Sequence, residues 1–202
     1  MDNSLLIKLK TEIIVQPKDC RDDFYDDYVR YYKGTIYILN EDETESEIGE
    51  VEFRIIDGSR AFNNHINIIE LCDSYTQDEY DYAKSIYKDG MINEELIEMT
   101  LSQNVLALHT LAILPEYRGH GYGLCIAEKI FESFGSHCAA MVLKPMPLQL
   151  TSLNSDENWN QKYQLNAFSL SEDEALKKVT QYWKKLGLKK TRDPRILFKA
   201  NM

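Results

Sequence analysis

The sequence predicts a mixed α/β fold, with a central, mostly antiparallel sheet flanked by helices. Short segments in the first half alternate apolar and polar residues, which is the pattern of half-buried strands. The second half runs strand, glycine-rich turn, helix, strand, helix, strand. No repeat, low-complexity tract or linker interrupts the 202 residues, a length ordinary for one α/β domain. We therefore expect a single domain over residues 1–202.

Three strands are expected in the first half. Ile7, Leu9, Ile13 and Val15 alternate with Lys8, Lys10 and Glu12, which indicates a half-buried strand. The other two strands are centred on Thr35–Leu39 and on Val51, Phe53 and Ile55, with the acidic stretch 41–46 as the turn between them.

A helical region over residues 66–100 is expected next, before the apolar run that begins at Val105. Thr76 and Glu79 form a capping-box pattern, and Tyr80, Ala83 and Tyr87 recur at helical spacing until Gly90. A second short helix is expected over 93–100.

The second half contains four further predicted elements around the strand 105–114. Leu124, Ala127, Phe131 and Phe134 share one helix face, and Gly135 is expected to end that helix in the left-handed conformation. In the last helix, Ser171 and Glu174 form a capping box, Leu176, Val179, Trp183 and Leu186 form the apolar stripe, and Gly187 ends it. A buried strand is expected over 138–143, a closing strand over 195–199 and a variable loop over 150–170.

The hexapeptide Arg118-Gly119-His120-Gly121-Tyr122-Gly123 lies between the apolar strand and the amphipathic helix. A glycine-rich turn that enters a helix directs several N–H groups to one point, where the helix dipole also favours a phosphate. A P-loop would require Lys and then Ser or Thr after the last glycine, and a dinucleotide fingerprint a third glycine at position 124. Leu124 and Cys125 exclude both nucleotide motifs.

The remaining pattern, R-x-x-G-x-G, resembles the acyl-CoA pyrophosphate loop of the GNAT superfamily of N-acetyltransferases. The segment 108–118 is similar to the motif strand of that family, and Tyr182-Trp183-Lys184-Lys185-Leu186-Gly187-Leu188 to the end of its last long helix. The resemblance covers roughly residues 104–200. It differs in the position of the helical region 66–100, since the family has two helices directly after the first strand. We expect this insert and the loop 150–170 to shape the acceptor pocket.

The resemblance implies acetyl-CoA as co-substrate. In the family the backbone of the motif strand, here Leu111, Ala112 and Ile113, pairs with the pantetheine arm. The pyrophosphate is expected on the loop from Arg118 to Leu124, that is, on Arg118, Gly119, His120, Gly121, Tyr122, Gly123 and Leu124.

His109 is the candidate general base, since arylalkylamine N-acetyltransferases carry a histidine at this place on the motif strand. The imidazole titrates near neutral pH, as proton transfer from an amine requires. The alternative is a buried histidine that only packs or pairs with a neighbour.

The general acid is less clearly marked in the sequence. The family commonly has Tyr four residues before the helix-ending glycine, where this chain has Trp183. The adjacent Tyr182 is the catalytic candidate, although one residue turns a helix by about 100° and is expected to face it elsewhere. Another tyrosine, or backbone and water alone, could instead assist the thiolate.

The net charge of −10 disfavours nucleic acid, because binding its backbone relies on Lys and Arg, and it mildly favours a cationic amine. It could equally serve only solubility. The sequence contains no metal-ligand spacing, signal peptide or membrane span, so we expect a cytoplasmic protein without a metal.

The sequence therefore predicts an N-acetyltransferase that acts by direct attack of a small-molecule or peptide amine on acetyl-CoA. A catalytically inactive CoA-binding module and an acetyltransferase of protein lysines or N-termini stay as alternatives, and a homodimer is left open.

Overall fold

A computed structural model describes residues 6–13, 28–40, 42–98, 100–151, 156–167 and 169–201. Its strands are β1 (Leu6–Ile13), β2 (Val29–Leu39), β3 (Glu45–Ile56), β4 (Tyr87–Lys88), β5 (Met91–Ile92), β6 (Val105–Ile113), β7 (Ala140–Leu143), β8 (Lys189–Lys190) and β9 (Leu197–Ala200). Its α-helices are α1 (Gly58–Asn63), α2 (Ile68–Asp73), α3 (Gln77–Ile86), α4 (Tyr122–Phe134), α5 (Glu157–Tyr163) and α6 (Glu172–Lys184).

Within these ranges one seven-stranded sheet has the order β1-β2-β3-β6-β7-β9-β8. Its neighbouring strands are antiparallel except β6 and β7, which are parallel. The expected mixed, mostly antiparallel sheet with flanking helices is thus confirmed. The parallel pair lies at the middle of the sheet, and α4 forms the crossover between its two strands.

The strands of the first half agree with the sequence pattern but are longer. The first strand is present over Leu6–Ile13, and Val15 lies outside the described residues. The second begins at Val29 rather than Thr35. The predicted turn is shorter than 41–46, because Leu39 already pairs with Glu45. Asn40 closes this hairpin through a side-chain bond to the hydroxyl of Thr44.

The helical region was expected over 66–100, but its helices begin at Gly58 and end at Ile86. The Thr76 hydroxyl caps α3 as predicted, but the helix stops at Ile86 rather than Gly90. There β4 and β5 form a hairpin whose turn residues, Asp89 and Gly90, have φ of 54° and 81°. The predicted helix over 93–100 is wrong, since only one turn forms around the carbonyl of Asn93.

The region 150–170 is not a plain loop, because it contains α5. The Asp156 carboxylate accepts hydrogen bonds from the N–H groups of Asn158 and Trp159, which starts this helix. The rings of Trp159 and Tyr163 then pack with centroids 4.4 Å apart. The sequence signal was the aspartate cap, which the Asn- and Ser-rich composition obscured.

The predicted features of α4 and α6 are confirmed only in part. Gly135 ends α4 with φ of −88°, so the expected left-handed conformation is wrong. A Cβ at this residue would lie 2.3 Å from the Phe131 ring, so space requires the glycine. The predicted capping box of Ser171 and Glu174 is present at the start of α6. Leu176, which was expected on the apolar stripe of this helix, is 39% exposed.

Two apolar clusters cover the two faces of the sheet. Helices α1, α2 and α3 pack with Val105 and Ala107 on one face, while α4 packs with Leu106 and Leu108 on the other. Alternation along β6 therefore sends successive side chains to opposite helices. The closing strand is Leu197–Ala200 rather than 195–199. No helix among the described residues is long and apolar enough to cross a membrane.

Candidate functional site

The parallel strands β6 and β7 pair over only half the length of β6. Val105 to Leu108 lie opposite Ala140 to Leu143, and there β7 ends. The strand β6 continues to Ile113 and pairs only with β3. A cavity of about 730 Å³ lies where β7 no longer covers β6, and it is bounded by β6, the glycine loop, α6 and the segment after β7.

A β-bulge at His109 marks the point of divergence. Phe53 lies opposite Leu108 and Glu52 opposite Thr110, so His109 has no partner on β3. The extra residue shifts the alternation: Leu111 and Ile113 now lie on the α4 side, as Leu106 and Leu108 do before it. His109 itself lies toward α3, against the edge of Tyr82.

The last residues of β6 have one backbone edge that pairs with no other strand. The N–H of Leu114 donates to Ile48 on β3, so alternation directs the N–H groups of Leu111 and Ile113 away from β3. Both residues line the cavity. Ala112 differs from them, because it is fully buried and its carbonyl faces Gly49 of β3. Of the three residues predicted for the pantetheine, two thus present their backbone to the cavity.

The glycine loop presents the unpaired amides that its sequence predicted. No backbone hydrogen bond among the described residues uses the N–H groups of 119–123. Gly119 and Gly121 have φ of 84° and 82°, and a Cβ at either would meet no atom within 4 Å. Their conformation, rather than the space around them, requires glycine. The loop leads into the N-terminus of α4, where the positive end of the helix dipole lies.

The residues of the predicted pyrophosphate loop fall into two groups. Arg118, Gly119, Gly121, Tyr122, Gly123 and Leu124 line the cavity, whereas His120 is exposed outside it and stacks on Tyr122. The guanidinium of Arg118 donates to the carbonyls of Ile113, at 2.9 Å, and Tyr163, at 2.6 Å. Partial burial lowers the pKa of Arg118. These bonds fix the loop to β6 and α5.

His109 belongs to a charged cluster that the sequence did not indicate. Its Nε2 lies 2.7 Å from Oε1 of Glu79, which is also 2.7 Å from Nη1 of Arg54. Neither Oε1 nor Nε2 has a partner of full hydrogen-bond geometry among the described residues, so the contact between them is a close charged approach. The Thr76 hydroxyl bonds to the other carboxylate oxygen. Burial raises the pKa of Glu79, but the contacts with His109, Thr76 and Arg54 outweigh it and hold the pKa below its usual range.

Tyr182 and Trp183 both line the cavity, so the expectation that Tyr182 faces elsewhere is wrong. Their rings meet edge to face, with centroids 5.3 Å apart. A Cβ on Gly123 would lie 2.4 Å from the Tyr182 hydroxyl, which places that hydroxyl against the start of α4. Burial raises the pKa of Tyr182, although a backbone hydrogen bond from Leu124 lowers it, so the phenol keeps its proton at neutral pH.

Two kinds of lysine line the cavity. Lys144, directly after β7, is paired with Asp78 at 2.9 Å and with Asp81 at 3.4 Å. Lys178 on α6 and Lys185 just after it are exposed, and they form no ion pair with any residue that the structure describes. They add positive charge to the wall of the cavity. Within the same ranges no three His, Cys, Asp or Glu side chains gather as metal ligands.

Comparison with known proteins gives one distant similarity. No protein-family model matches the sequence, and no curated protein does. Among solved structures, the chain is similar to one in "The crystal structure of KacTA-DNA complex", with 13% identity over 96% of this chain and 93% of that one and a TM-score of 0.39.

This match corrects the expectation that excluded nucleic acid as a partner. The neighbouring structure is a complex with DNA, so the exclusion based on net charge is withdrawn. Net charge averages over the whole chain, whereas phosphate contacts depend on local clusters of Lys and Arg. Lys177, Lys178, Lys184 and Lys185 are all exposed on or just after α6.

Proposed function

We propose that this chain is a GNAT-type N-acetyltransferase that transfers an acetyl group from acetyl-CoA to a primary amine. The observation that carries the proposal is the divergence of β6 from β7, with free amides at one end of the opening and His109 and Tyr182 along it. Main-chain donors suit a ligand that combines a pyrophosphate with an amide-containing arm. The sequence resemblance and this arrangement both support acetyl-CoA as the proposed ligand.

Successive parts of the cavity would bind successive parts of acetyl-CoA. The N–H groups of 119–123 and the start of α4 would hold the pyrophosphate. Leu111 and Ile113 would pair their backbone with the pantetheine amides, as a strand edge binds an extended peptide. The thioester would then lie near His109, where the bulge begins. The positive charges of Lys178 and Lys185, which also line the cavity, would favour binding of the phosphates.

The chemistry requires a base for the amine and a donor for the leaving thiolate. His109 accepts the proton as the amine nitrogen attacks the thioester carbonyl, so a C–N bond forms and the C–S bond breaks. The Tyr182 hydroxyl, protonated at neutral pH, donates to the departing sulfur. Both groups line the same opening.

Thiol release from acetyl-CoA tests the proposal, measured over a panel of small amines, protein lysine peptides and peptides with free N-termini. Titration calorimetry with CoA measures binding separately. Turnover with any amine supports an acetyltransferase, and the preferred class separates small-molecule from peptide acceptors. Saturable CoA binding without turnover on the whole panel would instead favour the inactive binding module. Absence of CoA binding would refute both.

A further inference from the structure

Glu79 is a fully buried carboxylate beside the candidate base. It lies in the first turn of α3, inside the helical insert, and does not line the cavity. Its role as a cap is already filled by the Thr76 hydroxyl, which accepts the hydrogen bond from the N–H of Glu79. A capping residue in this position does not need to be buried. The carboxylate must therefore be explained by what it touches.

The charges around Glu79 balance when His109 is neutral. Arg54 contributes one positive charge at 2.7 Å, and Glu79 carries one negative charge, so the pair is already neutral. An imidazolium would add an uncompensated charge in a buried place, which costs free energy. A neutral imidazole that faces a carboxylate oxygen through Nε2 must carry its proton on that nitrogen. Nδ1 is then the nitrogen with the free lone pair.

The other titratable groups nearby are already engaged. On α3, Asp78 and Asp81 contact Lys144, and Asp81 also lies 3.6 Å from Arg195. Tyr82 packs its ring edge against His109, and burial raises its pKa above the usual range. Cys72 on α2 is buried, which raises its pKa to about 12, so it stays a neutral thiol. Glu79 and Arg54 are thus the charges that act on the imidazole directly.

We propose that Glu79 is a positioning residue: it holds the His109 proton on Nε2, so that Nδ1 takes the proton from the attacking amine, and it stabilises the imidazolium that results. This inference rests on the proposed function for its catalytic half only. The amine proton moves to Nδ1, the Nε2 proton stays between His109 and Glu79, and no further reactant is needed. The Tyr82 ring packs against the imidazole, with centroids 5.4 Å apart and an angle of 83° between the ring planes.

Nuclear magnetic resonance of the ¹⁵N-labelled protein tests the inference without any substrate. The His109 signals, identified by their loss in His109→Asn, should have the pattern of the Nε2–H tautomer. In Glu79→Gln the midpoint of the His109 titration should move to lower pH, because a negative charge is lost. In Arg54→Gln it should move to higher pH, because Glu79 loses its competing partner. Asp78→Asn, one residue away and bonded to Lys144, is the matched control and should leave the midpoint in place.

The two opposite shifts separate positioning from a merely structural role. A wild-type Nδ1–H tautomer, or midpoints that stay fixed or move together in the two variants, would overturn the inference. Should Glu79→Gln fail to fold, the His109 tautomer of the wild-type protein and the shift of the His109 midpoint in Arg54→Gln still test the inference. If turnover is found, Glu79→Gln should lower kcat about tenfold or more with an unchanged Kd for CoA. Opposite shifts without CoA binding would refute the proposed function and leave the pairing intact.

Discussion

The two ends of the cavity present different chemical groups: main-chain amides at one end and side chains at the other. The proposed cofactor end consists of main-chain amides, from the loop 119–123 and from the open edge of β6 at Leu111 and Ile113. The proposed catalytic end consists of side chains, with His109 on the bulge and Tyr182 on α6. A main-chain site depends on backbone conformation, and a side-chain site on which groups the fold brings together. Substitutions should therefore lower affinity at one end and rate at the other.

The largest effect is expected at the side-chain end. His109→Ala should lower kcat by about 10²- to 10⁴-fold, because the amine loses its proton acceptor, while the Kd for CoA stays near the wild-type value. Steady-state kinetics with the best amine and calorimetry with CoA measure the two quantities. His137→Ala is the matched control, since His137 is exposed and lies outside the cavity. Equal losses in the two variants would remove His109 from the mechanism.

At the main-chain end, Gly121→Val should weaken CoA binding by about 100-fold. Left-handed backbone at a residue with a Cβ costs about 1–2 kcal/mol, more for a β-branched residue, so the loop must change its conformation. The fold should persist, because a Cβ at this position meets open space. Calorimetry measures the affinity, and a thermal melt tests the fold.

Gly90→Val is the control for this substitution. Gly90 also has a positive φ, 81°, with nothing within 4 Å of a Cβ, but it lies in the turn between β4 and β5. The free-energy cost of placing Val in this backbone conformation should therefore be similar, but the affinity of the Gly90→Val variant for CoA should be unchanged. Unaltered CoA affinity in Gly121→Val would show that the loop does not hold the ligand.

A smaller effect is expected for Tyr182→Phe, which removes only the hydroxyl beside Gly123. We expect kcat to fall about tenfold, because a thiolate is a fair leaving group even without a donor. Trp183→Phe, at the position where the family commonly has Tyr, should cost less. A larger loss in Trp183→Phe than in Tyr182→Phe would reverse the assignment, and rates at saturating acetyl-CoA provide the measurement.

The sequence predicted the main-chain end better than the side-chain end. Glycines report directly on backbone conformation, so Gly119 and Gly121 indicated a turn before the helix, and in the structure both have a positive φ. The amphipathic run after them indicated the helix. Both signals are local, because each lies within a few residues of the structure that it specifies.

The side-chain end depends on contacts between residues far apart in the chain. Glu79 and Arg54 reach His109 only after α3 packs on the face of the sheet that contains Ala107. The bulge at His109 depends on the register between β3 and β6. The sequence did draw attention to Glu79, the third residue of α3, but only as part of a capping-box pattern. That local role gave no reason to expect a contact with His109.

The smallest effect should come from the lysines that border both ends. Replacing Lys178 and Lys185 with Ala should weaken CoA binding about threefold each at low salt, as expected for exposed charges. The loss should disappear near 0.5 M salt, where screening is nearly complete over the distance to a phosphate. Lys177→Ala, on the same helix but outside the cavity, should not change the affinity. A loss that persists at high salt would mean that these lysines contact the phosphates directly, and the cofactor end would then include side chains as well as amides.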